Sequence, residues 1–122
     1  MVLITGGVGD GRTGLSSVEV FSPSGVPLPC TVPPLPAFRG SHTQDGAVAC
    51  GGVGGITSCV TLTGSGWQES HQLQADRGRH ASWRSPAGLL LMGGWDSPTS
   101  TEILSVTDST STPSFTLAYD TE

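Results

Sequence analysis

The chain has 122 residues, 18 of them Gly and 9 Pro; only 12% are charged and the net charge is −5. There is no Lys and the five Arg are dispersed, which excludes the clustered positive charge that nucleic acid or an anionic membrane surface requires. The longest apolar run, Leu89 to Met92, falls well short of the about 20 residues a membrane-crossing helix needs. No segment sustains helical apolar spacing, so the composition is that of an all-β chain.

In chain order, Leu3-Ile4-Thr5 stops at Gly6-Gly7, and a glycine-rich turn through Asp10, Arg12 and Thr13 leads to a β-prone segment at Ser17–Phe21. The stretch around Cys30, from Pro23 to Pro36, is too rich in Pro for a central strand and reads as extended loop or sheet edge. Arg39-Gly40-Ser41-His42 follows. Ala47–Cys50 then stops at Gly51-Gly52, with Cys59–Leu62 and Gly66–Glu69, which carries Trp67, as the next two strands. After Arg77-Gly78-Arg79-His80, Leu89–Met92 stops at Gly93-Gly94. A turn with Trp95, Asp96 and Ser97, a strand at Thr101–Leu104, a Ser/Thr/Asp-rich solvated turn at 107–113 and a final β-prone segment at Ser114–Leu117 complete the order.

The first glycines of the pairs are 45 and 42 residues apart, and Arg39 to Arg77 and His42 to His80 are each 38 apart. A period of this size marks stacked supersecondary units, approximately 1–38, 39–76 and 77–122. A glycine pair at a strand end permits positive φ and close approach of a neighbouring backbone. Trp67 suits the wedge between twisted sheets, its N–H seeking an acceptor. Arg39 and Arg77 can direct their planar forks at carbonyls or carboxylates between units. Each glycine pair is expected to end the second strand of an antiparallel sheet, with Val18, Val20, Cys59, Leu62, Ile103 and Leu104 at the interfaces.

This order of features resembles the kelch repeat, over essentially the whole chain. The consensus aromatic after the double glycine is missing, and only the middle unit has Trp at its usual place. The resemblance implies a partial kelch-type β-propeller of antiparallel four-stranded blades, with Gly6, Gly7, Gly51, Gly52, Gly93, Gly94, Trp67, Arg39, His42, Arg77 and His80 as structural residues. At about 45 residues per blade the chain supplies fewer than three blades, whereas propellers close with four to eight. The chain is therefore expected to be a fragment, and further blades or other copies are needed for closure.

No catalytic, cofactor or metal site is read. Ser41, His42 and Asp45, or Asp76, His80 and Ser82, supply triad residue types but no nucleophile elbow. The glycine runs after Gly6 and Gly51 precede no helix that could hold a phosphate. The cysteine and histidine spacings are not those of a zinc site. A hairpin would set Cys50 beside Cys59, and a disulfide between them is expected in an oxidising compartment, leaving Cys30 free or bonded elsewhere; reduced, buried cysteines in a cytosolic propeller are the other reading. No signal peptide is read after Met1, and an extracellular location is slightly favoured over a cytoplasmic one. The expected function is a non-catalytic protein-interaction scaffold that uses loops at one rim, with Asp10, Arg12, Thr13, Trp95, Asp96 and Ser97 as contact positions; Trp95 reads either as an exposed contact or as a loop anchor. The alternative is a secreted galactose oxidase-like or glycan-binding propeller. Tyr119, the single tyrosine, cannot by itself complete a copper site that requires two.

Overall fold

A computed structural model describes residues 1–10, 13–54, 56–95, 97–105 and 107–117. The strands are β1 (Val2–Thr5), β2 (Val18–Phe21), β3 (Thr43–Asp45), β4 (Val48–Cys50), β5 (Ser58–Thr63), β6 (Gly66–Gln72), β7 (Ala81–Ser85), β8 (Gly88–Met92), β9 (Thr101–Leu104) and β10 (Ser111–Pro113). They form three antiparallel sheets in chain order: β1-β2, then β3-β4-β5-β6, then β7-β8-β9-β10. The chain is all-β. Each glycine pair follows a strand directly, and in the two four-stranded sheets that strand is the second.

Two stretches differ from the sequence reading. The first unit supplies two strands, because prolines deprive residues 23–36 of ladder donors; Pro27 reaches Phe21 through an isolated bridge only. In the third unit the outer strand is Ser111–Pro113, inside the segment read as a solvated turn, and Ser114–Leu117 is not a strand. Pro113 is tolerated because β10 is an edge strand. The residues beyond it still follow β9, through Ser114 N–H to Thr101 O and Leu117 N–H to Thr99 O.

The core consists of two layers made by side-chain alternation in the middle sheet. Ala49 and Val60 join Trp67 and Leu35 on one face, against which Leu3, Val18 and Leu62 pack. On the other face Cys50 and Cys59 meet Leu73, Leu89, Leu91 and Leu104, with Val48 alongside. The first layer thus joins sheets one and two, and the second joins sheets two and three. Trp67 also donates its indole N–H to Pro33 O at 2.9 Å, tying the proline-rich loop to the wedge.

Cys50 and Cys59 are directly opposite in the ladder, with Cα atoms 4.1 Å apart, and form a disulfide. The neighbouring Gly51 N–H···O Ser58 bond makes Cys50–Cys59 a non-hydrogen-bonded pair, the position where cross-strand side chains come closest. Closing so short a loop contributes about 2–3 kcal/mol in the chain-entropy treatment. Cys30 is free and exposed. Of the interface residues expected from sequence, Val20, Cys59 and Leu104 are buried, whereas Val18, Leu62 and Ile103 are half-buried.

The glycine pairs share one backbone conformation, with φ of 59° and 109° at Gly6-Gly7, 67° and 132° at Gly51-Gly52, and 68° and 107° at Gly93-Gly94. A Cβ on Gly51 would strike Arg77 O and lie 2.8 Å from His80 Cε1, whereas one on Gly46, at φ 59°, would meet open space. Gly46→Ala should therefore cost about 1 kcal/mol for left-handed backbone alone, and Gly51→Ala about 2–4 kcal/mol for backbone plus overlap. Urea unfolding of the two variants checks this; equal losses would mean that close approach at Gly51 contributes nothing.

Candidate functional site

The glycine pairs are one half of a joint that occurs twice. In the first, Arg39 donates from Nη1 to Gly51 O at 3.0 Å and Ser58 O at 2.6 Å, and from Nη2 to Ser58 Oγ at 2.9 Å. In the second, Arg77 makes the same bonds to Gly93 O, Ser100 O and Ser100 Oγ, at 2.8, 3.0 and 2.8 Å. The arginine backbones complete the joint from the other side: Gly7 N–H donates to Arg39 O and Gly52 N–H to Arg77 O. Each Arg-Gly-x-His segment is thus clamped between the glycine pair before it and the one after it.

The two joints differ at one atom. Arg77 Nε donates to Glu102 Oε2 at 2.8 Å in a fully buried ion pair. Val60 holds the equivalent place in the middle sheet, two residues after Ser58 as Glu102 is after Ser100, and Arg39 Nε has no partner among the described residues. Burial accordingly lowers the Arg39 pKa, partly offset by Glu69. Glu102 is further satisfied by Gln74 N–H and by Ser111 Oγ–H, so its charge is shared over three donors.

The two histidines of the segments are held the same way, His42 Nε2 against Thr5 Oγ1 at 3.0 Å and His80 Nε2 against Thr43 Oγ1 at 2.8 Å. Gln44 gives its amide hydrogens to Leu3 O and Gly46 O, so its Oε1 takes the Thr5 proton. Thr5 Oγ1 is left to accept from His42 Nε2–H. Burial, then the adjacent Arg39, lowers the His42 pKa. Burial, then Arg77 and His42, pushes His80 down to about 4. Both rings are neutral in the folded protein near pH 7.

The joints also align the turns that follow the glycine pairs. Val53 N–H donates to Gly40 O, and Trp95 N–H to Gly78 O. Val8, Val53 and Trp95 occupy one position in the three units, and Val8 lies against Gly40 as Val53 lies against Gly78. In the first turn Asp10 and Thr13 are exposed, the turn being closed by Gly9 N–H to Thr13 O and a Val8–Gly14 bridge. In the third, Trp95 is 51% exposed, with the Arg79 guanidinium 4.0 Å from its ring centroid. Ser97 is half-buried and accepts from Ser100 N–H. Arg12 and Asp96 lie outside the described residues, as does Tyr119. Arg79, the third residue of its Arg-Gly-x-His segment, is a surface group that sequence reasoning missed.

A groove of about 440 Å³ opens between the second and third sheets. Its wall carries Thr61, Ser70, His71, Arg84 and Asp108 above an apolar floor of Val48, Leu89 and Leu104. His71 Nε2 is bonded to Ser105 O at 2.9 Å, and Arg84 pairs with Asp45 at 2.5 Å on the surface. Among the described residues there is no group of three or more His, Cys, Asp or Glu placed to hold a metal ion, and no helix is long and apolar enough to cross a membrane. No protein-family model and no curated protein matches the chain.

The histidines give the fold a pH dependence with a defined sign. The unfolded chain binds a proton at His80 near pH 6.5 and the folded chain only near 4, so stability is full above 6.5 and is lost as pH falls through that window. The contribution is about 3 kcal/mol at most, with His42 acting in the same direction. Thermal unfolding between pH 7 and 4 should show the melting temperature falling, and the fall should be shallower in His80→Gln. An unchanged slope in that variant would contradict the assignment.

Proposed function

We propose that this chain is a non-catalytic protein-interaction scaffold built from kelch-type propeller units, with the turns after the glycine pairs as its recognition surface. The observation that carries the reading is the row of turns held by the repeated joints. Backbone bonds fix where each turn emerges, while the turns themselves differ: the first is the longest, and Trp95 stands in the third where Val8 and Val53 stand in the others. Variable side chains on a fixed platform are what a recognition surface needs.

Within that surface the Arg79–Trp95 pair is the anchor. A half-exposed indole braced by a guanidinium offers a large apolar area at low entropic cost, and Trp and Arg are the residues most enriched in binding hot spots. Asp10 and Thr13 of the first turn and Ser97 of the third supply further polar contacts, and Arg12 and Asp96 remain candidates from the sequence alone. The hydroxyl-rich groove beside His71 favours one second reading, a secreted glycan-binding or galactose oxidase-like propeller, to which the Cys50–Cys59 disulfide is suited.

Photo-crosslinking from position 95 of the full-length protein identifies the partner, and its affinity is then measured with purified components. Trp95→Ala should weaken binding at least tenfold and lower the melting temperature by no more than a few degrees, since the half-exposed ring contributes about 1 kcal/mol through its contact with Arg79. A large fall in melting temperature would make Trp95 a structural residue. Oxidation of sugars or alcohols by copper-loaded full-length protein would overturn the scaffold reading.

A further inference from the structure

The receiving half of the arginine joint occurs three times in the chain, and in the first sheet it faces solvent. Gly6 N–H donates to Ser17 O just as Gly51 N–H does to Ser58 O and Gly93 N–H to Ser100 O. Gly6 O, Ser17 O and Ser17 Oγ therefore correspond to the three acceptors that hold Arg39 and Arg77. The ladder register extends the match, because Glu19 is opposite Ile4 as Glu102 is opposite Leu91. Glu19 is thus the counterpart of the carboxylate that pairs with Arg77.

The surrounding apolar groups match as well. Leu89 and Leu91 flank Glu102 and pack against the second sheet. Their counterparts Val2 and Ile4 are 44% and 49% exposed, and Ser17 and Glu19 are exposed beside them. Among the described residues no arginine side chain donates to Gly6 O or to Ser17, Arg39 meeting the glycine pair only through its backbone carbonyl. We propose that this face of the first sheet is an arginine-receiving surface, whose occupant is the Arg of an Arg-Gly-x-His protein segment.

Three observations commit it to that occupant. Two carbonyls and a hydroxyl set around one fork, with a carboxylate for Nε, match the planar donor array of a guanidinium, whereas an ammonium meets only part of it. The same carbonyl and hydroxyl acceptors hold arginine in both other units of this chain, and the carboxylate does so in the third. The exposed Val2 and Ile4 fit the apolar strand residues that accompany such a segment, as Cys50 and Leu73 do in front of Leu89 and Leu91. A second copy of this chain is a poorer occupant, because both of its own Arg-Gly-x-His segments are engaged internally. The inference rests on the repeated joint and is independent of what the turns bind.

The test is an amide NMR titration of the whole chain with a synthetic peptide reproducing residues 72–82, which contains Arg77-Gly78-Arg79-His80. Saturable shifts are expected at Gly6, Ser17 and Glu19. The same peptide with Lys at the first Arg should bind at least tenfold more weakly, and so should the Arg peptide to Glu19→Gln, an exposed substitution that leaves the fold intact. Absence of saturable shifts at these amides with millimolar peptide would overturn the proposal. So would equal binding of the Arg and Lys peptides, or shifts that Glu19→Gln leaves unchanged.

Discussion

The structure depends on a guanidinium placed between successive sheets. Arg39 and Arg77 are 3% and 1% exposed, yet most of their donors are met by backbone carbonyls and a serine. A buried charge is costly unless its hydrogen bonds are made. The cost is offset here because one planar group satisfies the glycine carbonyl at the start of the turn and gives a second donor to the serine carbonyl, which also accepts from the glycine N–H. The glycine pair follows from the same constraint: it must present a carbonyl to one arginine and an N–H to the carbonyl of the next, at φ values favoured by residues without a Cβ.

That requirement spreads along the chain. The third residue of each Arg-Gly-x-His segment, Ser41 or Arg79, adopts positive φ of 55° or 57° to turn the segment between its two neighbours, and Arg79 N–H bonds to Ser41 O, linking one joint to the next. The histidines close the far side against threonines. Apolar layers supply the bulk of the burial, but the non-directional hydrophobic effect does not set register between sheets. The hydrogen-bonded joints do, and they also fix where the turns emerge.

Much of this was legible in the sequence because the joint's parts are rare residue types at a fixed period. Glycine pairs, Arg39 with Arg77 and His42 with His80 recur at 38 to 45 residues, and a hairpin between the strand that Cys50 ends and the strand that Cys59 begins brings the two cysteines side by side. The serine acceptors Ser17, Ser58 and Ser100 were hidden because Ser is common throughout and the first turn is longer, ten residues from Gly7 to Ser17 against six from Gly52 to Ser58 and from Gly94 to Ser100. Glu19 and Glu102 looked like ordinary solvated strand residues; only the ladder shows that they hold one position, and that Val60 holds it in the middle sheet. The outer strand at Ser111–Pro113 was obscured by its Ser/Thr-rich composition, which suits a turn as well as a short edge strand.

The most direct measurement compares two charge-conserving substitutions by urea unfolding. In Arg77→Lys an ammonium replaces the fork and cannot reach Gly93 O, Ser100 and Glu102 together; in Arg84→Lys only the exposed pair with Asp45 is altered. The account predicts a loss of about 2–4 kcal/mol for the first and below about 1 kcal/mol for the second. Equal losses would contradict the claim that the buried guanidinium joint holds the sheets together.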